Sequence, residues 1–139
     1  MNIKVVYATK TKHSKKLAEA IAKAMQVQAQ NIKEIPAIKD IGLLFIVGGI
    51  YGGESLPEMI SFIKILDNSK VKKVVLVTSC TSKTTGQVTV RKLLNETNIE
   101  IIDEFICQGS FLFFGFGHPN QSDINEAVEF SKKIVRISK

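Results

Sequence analysis

Two stretches of this chain, LLFIVGG (residues 43–49) and KKVVLVTSC (residues 72–80), carry their apolar side chains in nearly unbroken runs. A strand with one wet face alternates apolar and polar residues, so a short unbroken run marks a strand covered on both faces. IKVVYA (residues 3–8) reads the same way, and IEIIDEFIC (residues 99–107) supplies a further strand. VQAQNI (residues 27–32) alternates at period two instead, as an edge strand with a solvated face does. Helical patterns lie between the strands. Leu17, Ala18, Ile21, Ala22 and Met25 share one face of a helix that starts at Ser14. Met59, Ile60, Phe62, Ile63 and Leu66 follow SLPE (residues 55–58), which reads as a capping box with a proline near the first turn. Val88, Leu93 and Leu94 mark a less regular helix, and Ile124, Ala127, Val128, Ile134 and Val135 mark the last, capped near Asn120 or Asp123. Strand–helix alternation sustained along a chain predicts an α/β three-layer sandwich: a parallel sheet with helices on both faces.

At 139 residues, 45% of them hydrophobic, the chain reads as one globular domain spanning residues 1–139. The longest apolar run, IGLLFIVGGIYGG, is too short and too rich in glycine to span a bilayer, so no membrane role is expected. The chain enters a strand pattern at once, without the form of a signal peptide, which predicts a cytoplasmic protein. Two cysteines are too few for a disulfide framework. The net charge of +6 rests almost wholly on lysines spread across nearly every segment, and there is no tryptophan. An arginine-rich stripe with interleaved aromatics is missing, so nucleic acid is not the expected partner.

In parallel sheets ligands bind at the carboxyl ends of the strands. That rule selects TKTKHS (residues 9–14), GGIYGG (48–53), TSCTSKTTG (78–86) and the segment from Gln108 to Asn120. The first sets Thr9, Thr11 and Ser14 between a strand and a helix. Two readings of this junction stand side by side: ordinary turn and cap chemistry, or an anion site built on the free N–H groups and partial positive charge of a helix N-terminus. Several familiar sites are excluded. G-x-x-x-x-G-K-[ST] is absent, and GFGHPN (residues 115–120) lacks the third dinucleotide-binding glycine. Six positions beyond Cys80 stands Gly86, and six beyond Cys107 stands Phe113, where a cysteine phosphatase loop needs arginine. The clustered aspartates of a receiver domain are missing, and His13 and His118 are too isolated to build a metal site.

TKTKHS resembles the phosphate-binding loop of the flavodoxins, T/S-x-T-G-x-T/S, with Thr9, Thr11 and Ser14 at the hydroxyl positions. The resemblance extends to GGIYGG and TSCTSKTTG, which stand where flavodoxins carry the two loops that cover the flavin ring. It also takes in the G-H-P-N turn ahead of the last helix. The family implies a five-stranded parallel sheet of order 2-1-3-4-5 and non-covalent binding of FMN. The cofactor-binding residues implied are Thr9, Lys10, Thr11, Lys12, His13 and Ser14 at the phosphate. Ile50, Tyr51 and Gly52 come from the first ring loop, with Tyr51 stacking on the ring, and Ser79, Cys80, Thr81, Ser82 and Gly86 from the second. The sequence departs from the family pattern in three ways. Lys12 replaces the loop glycine, the second ring loop has no aromatic residue, and the chain is basic where flavodoxins are usually acidic. The resemblance implies an electron carrier, monomeric or weakly dimeric, that meets redox partner proteins, here of acidic surface. A cofactor-free interaction module and a small FMN-dependent reductase are the competing readings.

Overall fold

Burial on both faces explains the unbroken apolar runs. In the computed structural model, which describes residues 2–10, 12–34, 36–51, 54–80, 86–108 and 121–138 (backbone alone at Tyr51, Cys80, Cys107 and Gln108), strands β1 (Ile3–Tyr7), β3 (Ile41–Tyr51) and β5 (Val71–Cys80) form the interior of one sheet. Val5, Val6, Leu43 through Val47 and Val74 through Val77 are fully buried there. Among the described residues the edges are β2 (Ala29–Asn31) and β6 (Glu100–Gln108), and these five strands run parallel in the order β2-β1-β3-β5-β6. This is the order the family resemblance implies.

A further strand is a local addition. Strand β4 (Glu54–Ser55) turns back antiparallel on the tip of β3, pairing Ile50 with Ser55 and Tyr51 with Glu54. Ser55 therefore does not cap helix α2 (Pro57–Lys64); Leu56 takes that position in an extended conformation, with Pro57 opening the first turn. The edge strand β2 is also shorter than its alternation suggests. Glu34 Oε1 accepts the Asn31 N–H at 3.0 Å, and Asn31 Oδ1 accepts the Lys33 N–H at 3.0 Å. These side chains offer the backbone partners outside the ladder, and the chain turns into a short 3₁₀ helix (Ile32–Glu34).

Helices α1 (His13–Met25) and α4 (Gln121–Ser138) cover one face of the sheet, where Leu17, Ile21, Ala127 and Ile134 pack on Val5, Leu43, Phe45 and Val75. Helix α2 and α3 (Val88–Glu96) cover the other, where Met59, Phe62, Ile63, Val90 and Leu94 pack on Val6, Leu44, Ile46 and Leu76. A β-bulge interrupts β6: Val74 stands opposite Ile101 and Val75 opposite Asp103, so Ile102 is the extra residue. Ile99 and Ile101 pack with the α2–α3 layer. Beyond the bulge the phase reverses, and Phe105 packs with the α1–α4 layer, its ring centroid 5.4 Å from that of Phe130. The reversal turns Glu104 toward α3.

Candidate functional site

The turn from β1 into α1 leaves two hydroxyls without partners. Thr9 Oγ1 and Ser14 Oγ are both buried and make no hydrogen bond. Ser14 is fully buried within the first turn of α1 and does not occupy the cap position. Lys12 takes that position with φ 70° and ψ 2°, a left-handed conformation, and makes no side-chain capping bond. The Lys16 N–H donates to the Lys12 carbonyl at 3.1 Å, closing the first turn, and no acidic residue lies in that turn. Beside it runs a groove of about 380 Å³ lined by Lys12, His13, Lys15, Lys16 and Glu19. Buried polar groups are nearly always hydrogen-bonded, so two idle hydroxyls beside a helix N-terminus are suited to an acceptor. The positive end of the helix dipole favours an anion there. The donor set fits a phosphate group.

A second set of polar groups occupies the carboxyl ends of β3, β5 and β6. The register aligns Gly49, Ser79 and Cys107 in one row and Gly48, Thr78 and Ile106 in the row beneath. Gln87, fully buried at the start of α3, reaches across this lower row. Its Nε2 donates to the carbonyl oxygens of Val77 at 3.1 Å and Ile46 at 3.3 Å and to Thr78 Oγ1 at 3.4 Å. Its Oε1 is buried without a partner. Gly48 makes room for this amide, since a Cβ there would stand 3.2 Å from Gln87 Oε1. Glu104 faces the same corner and accepts from Thr78 Oγ1 at 2.9 Å and from the Gln87 N–H at 3.0 Å, while Arg91 of α3 pairs with its other oxygen. On the outer side Thr89 Oγ1 donates to Glu54 Oε2 at 2.8 Å, and the other Glu54 oxygen accepts the Ser55 N–H at 2.8 Å. The first turn of α3 is thus fastened both to β6 and to the hairpin at the end of β3.

Thr9, Lys10, Lys12, His13 and Ser14 lie together at the β1–α1 turn, and Ile50, Ser79 and Gly86 lie at the ends of β3 and β5 and just ahead of α3. Thr11, Gly52, Thr81 and Ser82 lie outside the described residues, as do the side chains of Tyr51 and Cys80 and the segment holding Phe111, Phe113, Phe114, Phe116 and His118. Cys80 pairs with Gln108 and Cys107 with Ser79, so the two cysteines are not cross-strand partners. Sequence reasoning missed Glu104, Gln87, Arg91, Glu54 and Thr89. A usable signal existed for Glu104: a carboxylate inside an apolar strand, just past a break in its alternation.

Among the described residues no helix is long and apolar enough to cross a membrane, and no cluster of His, Cys, Asp or Glu could hold a metal ion. An uncharacterized protein of Methanocaldococcus jannaschii is 28% identical over 137 residues, covering 90% of this chain and 91% of its own. A flavodoxin from the domain Archaea superposes with a TM-score of 0.78 at 15% identity, over 99% of each chain. Oxidised flavodoxin 2 from Bacillus cereus superposes with a TM-score of 0.70 at 15% identity, over 98% of this chain and 99% of its own. The NAD(P)H:quinone oxidoreductase of Methanothermobacter marburgensis shares the fold with a TM-score of 0.69 at 9% identity, over 96% of both chains. Residues 4–110 match the family model described as the flavodoxin domain, and with that match spanning most of its length the chain belongs to the flavodoxin domain family.

Proposed function

We propose that this protein binds FMN without a covalent bond and carries electrons to and from partner proteins of acidic surface. The observation that carries the reading is the pair of buried, unpartnered hydroxyls, Thr9 Oγ1 and Ser14 Oγ, at the N-terminus of α1. A phosphate monoester presents several acceptor oxygens and close to two negative charges, which suits hydroxyl donors that have no other partner at the positive end of a helix. Lys10, Thr11, Lys12 and His13 complete the loop around that group. Ile50, Tyr51 and Gly52 on one side, and Ser79, Cys80, Thr81, Ser82 and Gly86 on the other, are the residues for the ring. When bound, FMN supplies the electron-accepting chemistry, and the protein tunes it through the dipoles and apolar contacts it sets around the ring. The chain's +6 charge supports acidic partners by long-range attraction.

Ser14→Ala tests the reading. In the flavin-free protein the Ser14 hydroxyl is idle, so its removal leaves the resistance to urea unchanged or slightly higher. FMN binding loses a hydrogen bond to a charged group, about 1.5–3 kcal/mol, or at least tenfold in affinity. Riboflavin, which has no phosphate, binds both proteins equally. A parallel loss for the two ligands would assign Ser14 to the fold and not to the phosphate. A wild-type protein that retains no flavin after gel filtration and leaves the absorbance and fluorescence of added FMN unchanged would overturn the reading altogether. Reduction of the loaded protein by NAD(P)H alone would favour a reductase over a carrier.

A further inference from the structure

The chain leaves β5 and enters α3 under the control of one carboxylate. Glu104 Oε2 accepts from Thr78, two residues before the end of β5, and from the N–H of Gln87, the residue that opens α3. Arg91, in the first turn and a half of that helix, pairs with the same carboxylate. Gly86 lies directly against it: with φ 87° the position disfavours any side chain, and a Cβ there would collide with the Glu104 oxygens. Glu104 faces this corner only because the bulge at Ile102 reverses the phase of β6. Three separate features of the backbone and sequence therefore serve a single side chain, which is about 10% exposed. A carboxylate this buried is costly unless it is paired and hydrogen-bonded, and an apolar residue would pack the same space without that requirement.

We infer that Glu104 is a positioning residue. It fixes Thr78 and Ser79 on one side and Gly86 and Gln87 on the other, and so sets the rim against which the flavin ring rests. The inference builds on the FMN reading but makes no use of the phosphate loop. Glu104 acts through Thr78, Gly86 and Gln87.

Glu104→Gln keeps the size and one acceptor while removing the charge. In the flavin-free variant the amides of Ser79, Gly86 and Gln87 exchange with solvent faster than in the wild type, while those of Leu44 to Ile46 keep their rates. FMN and riboflavin both lose affinity, by about tenfold, and to the same extent, because the ring they share is affected. The midpoint potential of bound FMN also shifts, which a loss of fold stability alone would not cause. Unchanged exchange overturns the inference. So does faster exchange with wild-type affinity and potential, which would make Glu104 a purely structural clamp. If the wild type binds neither flavin, the FMN reading fails and the positioning role falls with it, whatever the exchange rates show. Should Glu104→Gln not fold, Thr78→Val and Arg91→Met each remove one partner from an intact carboxylate and must speed exchange at Ser79, Gly86 and Gln87 and weaken FMN and riboflavin alike.

Discussion

Lys12 sets a side chain against its own backbone. Its φ of 70° lies in the region where a residue with a Cβ crowds the adjacent carbonyl, a cost of about 1–2 kcal/mol that glycine escapes. The flavodoxin loop pattern has glycine at this place, and the left-handed turn shows why the pattern asks for it. Lys12→Gly is therefore expected to raise stability by about 0.5–1 kcal/mol, less than the strain itself because glycine also loosens the unfolded chain. Urea titration checks this. Losing the ammonium costs FMN binding little, since an exposed lysine contributes about 0–1 kcal/mol to an ion pair and salt screens it. Affinity should stay level or rise modestly, with a flatter dependence on ionic strength. A tenfold loss in titrations at low and high salt would instead make Lys12 a phosphate ligand in its own right.

Among the elements, α3 is held in an unusual way. Gln87 stands at its N-cap, yet the side chain turns away from the helix and lies beneath the ends of β3 and β5. Its Nε2 shares two hydrogens among three acceptors at 3.1–3.4 Å, and its Oε1 has no partner. A leucine of similar volume gives up these bonds but also removes the unpartnered Oε1, whereas an alanine leaves a hole as well. Gln87→Leu should stay within about 1 kcal/mol of the wild type in urea unfolding, and Gln87→Ala should lose about 2 kcal/mol or more. Equal losses would show that the hydrogen bonds dominate over the packing. The contrast between α1 and α3 also marks what the sequence reveals. Periodicity exposes α1 and the hydroxyls at its entry, because Thr9 and Ser14 act within a few residues of one another. The corner around Glu104 is assembled from β3, β5, α3 and β6, and such meetings leave no short pattern in the chain. Its trace is the pair Ile101–Ile102, two neighbouring apolar residues where a regular strand would alternate. Ser55 misleads for the opposite reason. S-x-x-E matches a capping box locally, but pairing with Ile50 claims the residue for β4.

At the scale of the whole molecule, net charge bears on how charged reagents approach. The +6 balance and the lysine-lined groove beside α1 attract anionic reagents over about 10 Å at moderate salt. For FMN-loaded protein reduced beforehand, the rate of oxidation by ferricyanide should fall as salt is added, and the rate with a cobalt hexaammine cation should rise. Matching slopes would remove charge as the guide to partners. The sheet's edges bear on a different matter, the company the protein keeps at high concentration. An open sheet ends in rows of unpaired N–H and C=O groups, and a long, regular edge is a template on which a foreign strand can grow. Among the described residues the edge strands are β2, of three residues, and β6, which carries an extra one that breaks the spacing of its backbone groups. The bulge that aims Glu104 inward thus has an outward effect as well: it spoils the repeat that a growing fibril would have to copy.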